Sequence, residues 1–139
     1  MKKRTPVSTI MTKSPVTVNL TDGLAKVNSL FKKQSIRHIP VVSGKKLIGI
    51  ISQTDIMRLS FGDIYSGQEE MDNSLFDMLS IEQVMAAHPK TVAPSDTIKE
   101  VAEIFASSSF RALPVIQEDE IVGIVTTTDV IKYLLEQFD

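Results

Sequence analysis

A chain of 139 residues, 42% hydrophobic and 23% charged, has the composition of an ordinary soluble globular protein. Its formal net charge of -2 gives no global attraction to nucleic acid or to an anionic membrane surface. Cysteine is absent, which excludes disulfides, thiolate nucleophiles and thiolate metal sites. The basic start Lys2-Lys3-Arg4 has no apolar run behind it and does not read as a signal peptide. No stretch reaches membrane-spanning length, and the expected location is cytoplasmic.

In chain order, Pro15-Val16-Thr17-Val18 predicts a short extended segment, since proline disfavours helix while Val and Thr favour strand. Leu24, Val27, Leu30 and Phe31 then recur at the spacing of one buried helical stripe. Ile39-Pro40-Val41-Val42 and Leu47-Ile48-Gly49-Ile50-Ile51 read as two strands around the polar turn 43–46. Thr54 is the expected N-cap of a second helix through Ile56, Met57 and Leu59. Residues 60–80 read as a connector, part loop and part helix, with an acidic stretch at 68–72 and a short helix at 73–79.

The same order then returns. Thr97-Ile98-Lys99-Glu100 reads as a capping box before a helix striped by Ile98, Val101, Ile104 and Phe105. Strands are expected at 113–116 and 121–125 around the acidic turn 117–120. Thr128 is the expected cap of a last helix through Val130, Ile131, Leu134 and Leu135.

A constant offset of 74 lays residues 11–55 on residues 85–129 without a gap, and 15 of the 45 pairs are identical. They include Met11/Met85, Thr17/Thr91, Asp22/Asp96, Arg37/Arg111, Gly49/Gly123, Thr54/Thr128 and Asp55/Asp129. The expected fold is therefore mixed α/β (α+β), built of two β-α-β-β-α repeats at 7–59 and 81–138 joined by the connector 60–80. One repeat is too small to close a good core, and its nearly continuous apolar strands need cover on both faces. Packing of the two halves across a pseudo-twofold axis meets both needs.

The pattern Met-x-x-x-Pro-x-Thr-Val, a helix, Arg-x-x-Pro-Val, then Gly-Ile-hydrophobic-Ser/Thr-x-Thr-Asp resembles the CBS domain, and two in tandem resemble a Bateman module. The resemblance implies two clefts between paired repeats that take AMP, ADP, ATP, S-adenosylmethionine or related ligands. Carried over by position, Ser52, Thr54 and Asp55 in the first repeat meet ribose or phosphate. Thr126, Thr128 and Asp129 are their counterparts in the second. Arg37 and His38, and then Arg111, fall where the family's basic residues often meet phosphate. Thr17 and Thr91 fall in the segment that lines the adenine. The chemistry agrees: a carboxylate accepts from both hydroxyls of a ribose diol, a helix N-terminus favours an anion, and arginine offers a forked donor.

Each residue also has a structural reading. The Thr-Asp pairs cap helices and complement the dipole, and the arginines are surface charges or members of ion pairs. Met11/Met85 and Phe31/Phe105 read as core, and Gly49 and Gly123 as places where backbone or ligand approaches a strand closely. His38 and His88 stand in no metal-binding pattern. His38 is replaced by Ala112 in the second copy, and the turns differ in charge (Lys45-Lys46 against Glu118-Asp119-Glu120), so two unequal sites are expected.

No nucleophile elbow, phosphate loop or metal cluster points to an enzyme. The leading expectation is a regulatory module that binds an adenine nucleotide or S-adenosylmethionine, requires no cofactor, forms a homodimer and acts on a separate protein partner. The alternative is a protein-interaction or oligomerisation module whose clefts stay empty. Nucleic-acid binding lacks a basic-aromatic stripe, and nucleotide hydrolysis lacks a catalytic set.

Overall fold

The pattern of short apolar strands and striped helices resolves, in a computed structural model that describes residues 4–66 and 76–138, into a mixed α+β architecture. A 3₁₀ turn at Val7–Thr9 leads to β1 (Thr12–Lys13), β2 (Val18–Asn19), α1 (Leu24–Lys33), β3 (His38–Ser43), β4 (Lys46–Ser52) and α2 (Gln53–Ser66). The second half supplies α3 (Ile81–Val84), β5 (Ala86–Ala87), α4 (Ile98–Ala106), β6 (Ala112–Gln117), β7 (Glu120–Thr126) and α5 (Thr127–Glu136). Helix α2 extends into the segment read as connector, and residues 76–78 are helical. The acidic stretch 68–72 and residues 73–75 of the expected short helix lie outside the described residues.

The chain forms two compact units. The first comprises Val16–Gly44 and Ile48–His88; the second comprises Met1–Pro15, Lys45–Leu47 and Pro89–Asp139. Chain order alone does not give this division. The residues ahead of each repeat's first strand belong to the unit built mainly from the other repeat.

In the first unit β2 runs parallel to β3, with Val18 opposite Val41, and β4 is bordered by antiparallel β5, with Gly49 opposite Ala87. In the second unit β6 and β7 form an antiparallel hairpin from Ala112/Thr126 to Gln117/Glu120, and β1 flanks β7 with Lys13 opposite Gly123. The expected extended segment before Val92 forms no strand. Val92 makes one parallel bridge to Val115, its N–H donating to the Pro114 carbonyl at 3.1 Å. The turns of opposite charge meet within this unit: Lys46 pairs with Glu120, and the Leu47 N–H reaches the Asp119 carbonyl at 3.3 Å.

β1 and β5 were not legible as strands, because two residues carry no alternation. Their seats are glycines. A Cβ on Gly49 would collide with Met85 Sδ and stand 3.1 Å from the Ala86 carbonyl oxygen. One on Gly123 would collide with Met11 Sδ and stand 3.0 Å from the Thr12 carbonyl oxygen. The close approach read from these glycines is thus made by methionine and backbone of an edge strand. Both straps leave through a left-handed residue, Ser14 (φ 47°) and His88 (φ 51°), whose N–H groups reach Val122 and Ile48 at 3.3 Å.

Burial follows the predicted stripes. Leu24, Val27 and Phe31 of α1 join Val18, Ile39, Val41, Ile51, Ile56, Phe76 and Ile81 in the first core. The second core holds Val7, Val92, Val101, Leu113, Val115 and Val125, with Met11, Ile104, Phe105 and Val130 packed against it. Along β3 and β6 four consecutive residues are buried, the pattern of strands covered on both faces. The last helix behaves differently: Ile131, Leu134 and Leu135 are exposed, as is Met57, the counterpart of Ile131 in α2.

Candidate functional site

Each unit carries the same corner, made where a strand begins and a helix starts. The Gln53 N–H, first in α2, donates to the Arg37 carbonyl at 2.8 Å. The Thr127 N–H, first in α5, donates to the Arg111 carbonyl at 3.0 Å. These bonds satisfy one of the four N–H groups that a helix start leaves unpaired and fix each arginine beside it.

The helix caps sit two residues earlier than the sequence reading placed them. Ser52 Oγ accepts from the Asp55 N–H at 3.1 Å, and Asp55 Oδ2 accepts from the Ser52 N–H at 2.9 Å. Thr126 and Asp129 repeat this reciprocal box at 3.2 and 2.9 Å. A cap hydroxyl has to reach the N–H three residues on, and the Ser/Thr-x-x-Asp spacing does this while Thr54 and Thr128 cannot. Those threonines are the second residues of their helices, exposed in the first turn. Thr97 does cap α4 as expected, accepting from the Glu100 N–H at 3.0 Å.

Capping occupies one carboxylate oxygen of each aspartate. Asp55 Oδ1 stands 3.9 Å from the exposed Arg58, and Asp129 Oδ1 meets no protein donor among the described residues. Arg37 and Arg111 are exposed and form no ion pair among the described residues, so their guanidinium groups are available. The ion-pair reading of these arginines falls away.

His38 opens β3, half-buried beside Arg37. Desolvation pushes its pKa below the ordinary histidine range, the Asp55 carboxylate pulls it back up, and Arg37 lowers it further. The net shift is downward, which leaves the imidazole neutral at pH 7. Its counterpart in β6 is the buried Ala112.

Thr17 lies one residue before β2, and the parallel register sets it level with Pro40, at the end of β3 where Arg37 and His38 stand. The Val92–Val115 bridge places Thr91 likewise beside Pro114 and near the start of β6. Both threonines are half-buried, and among the described residues neither hydroxyl has a protein partner. Two residues that the sequence reading passed over shape the following loops. Asp22 Oδ2 accepts from the Asn19 N–H and Asp96 Oδ2 from the Ala93 N–H, each at 2.8 Å. The Asn19 bond, with the Lys26 ammonium at 3.1 Å, holds the Asp22 carboxyl below its ordinary pKa. Their identity across the repeat was the available signal.

Within each unit the structure thus gathers a free guanidinium, an exposed hydroxyl and a half-engaged carboxylate at a helix N-terminus. That set can donate to an anion and accept from a diol. Among the described residues no three His, Cys, Asp or Glu side chains converge on a metal position, and no helix is long and apolar enough to cross a membrane.

Known proteins share this fold. The uncharacterized protein MJ1225 of Methanocaldococcus jannaschii is 33% identical over 119 residues, covering 81% of this chain and 41% of that protein. The chain spans less than half the length of several such curated relatives. The crystal structure of CBSX2 of Arabidopsis thaliana in complex with AMP superposes with a TM-score of 0.78 at 20% identity, covering 95% of this chain and 97% of that one. The CBS domain pair of protein MJ0100, in complex with 5′-methylthioadenosine and S-adenosyl-L-methionine, gives 0.79 at 24% identity, covering 96% and 98%. The family model of the CBS domain matches residues 7–62 and again 81–136. With both repeats matched and the fold shared, the chain belongs to the CBS-domain family and carries two such domains in tandem.

Proposed function

We propose that this chain is a ligand-sensing regulatory module that binds an adenosine-containing ligand, an adenine nucleotide or S-adenosylmethionine. One observation carries the reading: each unit presents an arginine that forms no ion pair among the described residues, beside a helix start whose aspartate has one oxygen bound in the cap and the other facing outward, unpartnered in Asp129 and 3.9 Å from the exposed Arg58 in Asp55. The arginine and the first-turn threonine suit phosphate, and the spare oxygen suits a ribose diol. The ligands held by CBSX2 and by the MJ0100 pair support this class of molecule. Thr17 and Thr91, with hydroxyls facing no protein partner, line the base in this reading.

Binding shifts the population between arrangements of the chain by differential affinity and so regulates a separate partner protein. The corner holds acceptors and donors but no activated nucleophile, which favours regulation over catalysis. The exposed apolar residues of α5 support a homodimer. They also favour the second reading, an interaction module whose sites stay empty.

Titration calorimetry with AMP, ADP, ATP, S-adenosylmethionine and NAD tests the proposal. Saturable binding of at least one is expected, weakened about tenfold or more by Asp55→Asn or Asp129→Asn, the loss that follows from removing a charged hydrogen-bond acceptor. Absence of heat with all five at millimolar concentration overturns it and leaves the interaction module.

A further inference from the structure

Each strap is anchored by a single side chain. Of residues 11–14 only Met11 is not exposed, and of residues 85–88 only Met85. The exposed Thr12, Lys13, Ala86 and Ala87 hold their strands through the backbone, two residues to a strand. The thioether therefore supplies the apolar burial that the strap has. Met85 packs against the first core and Met11 against the second, and each sulfur takes the space of a Cβ on the glycine it covers. We infer that Met11 and Met85 are a matched pair of reversible oxidation sites, where a hydroperoxide converts the thioether to a sulfoxide and so frees the strap from its seat. The inference is independent of the nucleotide reading.

Half-burial leaves both sulfurs within reach of a small oxidant in water. A sulfur lone pair attacks one peroxide oxygen, and the S–O bond forms as the O–O bond breaks. The transferred hydroxyl gives its proton to the departing hydroxide or alkoxide. Sulfur is oxidised by two electrons, and the hydroperoxide is reduced to water or an alcohol. The product does not suit the seat. Beside it stands a carbonyl oxygen, that of Thr12 at 3.0 Å or of Ala86 at 3.1 Å from the Cβ position. A sulfoxide oxygen is an acceptor too, so it repels this neighbour and gains no hydrogen bond from it to replace those to water. The side chain turns out to solvent, and a two-residue strand is too short to stay paired without it. Met57 and Met78, 60% and 78% exposed, project into solvent already, and their oxidation costs the fold little.

Trypsin reads the state of both straps, because Lys13 lies in β1 and Lys90 just beyond His88. The full chain is treated with hydrogen peroxide, and peptide mass spectrometry locates the oxidised methionines. Initial cleavage rates after Lys13 and Lys90 are compared before oxidation, after it, and after methionine sulfoxide reductase. Oxidation should raise both rates about tenfold, following the population of opened straps, and the reductase should restore them. The Met57→Leu/Met78→Leu double variant should respond like the parent. Met11→Leu should lose the response at Lys13, and Met85→Leu at Lys90, since leucine keeps the volume without the sulfur. Should either leucine variant misfold, the reductase arm on the parent chain still decides. Peroxide that converts Met57 and Met78 but spares Met11 and Met85 overturns the inference. Unchanged cleavage with both strap methionines oxidised does so too, as does a rate that the reductase fails to restore or a response that vanishes in the Met57→Leu/Met78→Leu variant.

Discussion

Met85 Sδ packs onto Gly49 at the point where any other residue would carry its Cβ, and Met11 does the same at Gly123. The two contacts are related by the repeat, and in both the methionine comes from the short strap that precedes the other repeat's first strand. Glycine there provides room for a side chain and an edge strand at once.

Gly49→Ala is therefore expected to destabilise the protein by about 1–3 kcal/mol, the usual cost of overpacking. Met85→Ala in the same chain should recover part of that loss, because it removes the colliding sulfur and leaves only the Ala86 carbonyl 3.1 Å from the new Cβ. Urea unfolding of the two single variants and the double variant measures the coupling. A fully additive result would show that the methionine is not what the glycine accommodates.

The helix starts separate capping from ligand contact. Ser52→Ala and Thr126→Ala should each cost about 1 kcal/mol of stability through the lost cap. Thr54→Ala and Thr128→Ala, at exposed second positions, should stay within about 0.5 kcal/mol of the parent. Thermal unfolding checks the first pair, and nucleotide titration of the second pair shows whether those hydroxyls serve the ligand.

These caps show how far the sequence could be read. The stripes of α1 and α4 and the hairpin strands at 39–51 and 113–125 were legible, because each carries enough apolar residues to set a period. Ser52 and Thr126 were legible in principle as Ser/Thr-x-x-Asp boxes, but the better-matched Thr-Asp pairs drew the assignment two residues late. The corner as a set of residues could be assembled from the repeat. What it lacks in sequence is the bond that builds it, a backbone link from Arg37 to Gln53, since such a link leaves no trace in side-chain identity. The exchange of straps was hidden for the same reason: Thr12–Lys13 and Ala86–Ala87 pair by backbone alone.

The acidic hairpin turn stores strain. Glu118 and Asp119 both have positive φ, 53° and 66°, whereas the matching turn of the first repeat places Gly44 at 63°. Replacing the pair with Asn-Gly, which adopts this conformation readily, should stabilise the protein by about 1 kcal/mol. Chemical denaturation reads the change directly, and a loss of stability would show that the acidic side chains do more than tolerate the turn.

Acid should weaken the fold through His38. Its folded-state pKa lies below the ordinary value of 6.5, so below that value the unfolded chain binds more protons at this site. The stabilisation is present above pH 6.5 and is lost as pH falls toward the folded-state pKa. Melting temperatures of the parent and His38→Asn should therefore differ most between neutral and mildly acidic pH, with the parent losing more on acidification. An identical decline in both would place the acid sensitivity elsewhere.

The exchange of straps makes the molecule a reciprocal pair in the manner of split proteins. Cut between Ser80 and Ile81, the chain would yield one piece carrying β1 without its β7 seat and another carrying β5 without its β4 seat. Alone, each piece would expose a glycine-lined groove and an orphaned edge. Mixed, each would hold the part that completes the other, and the two should reassemble stoichiometrically into the native fold. The duplication has produced two halves that are obliged to one another by topology.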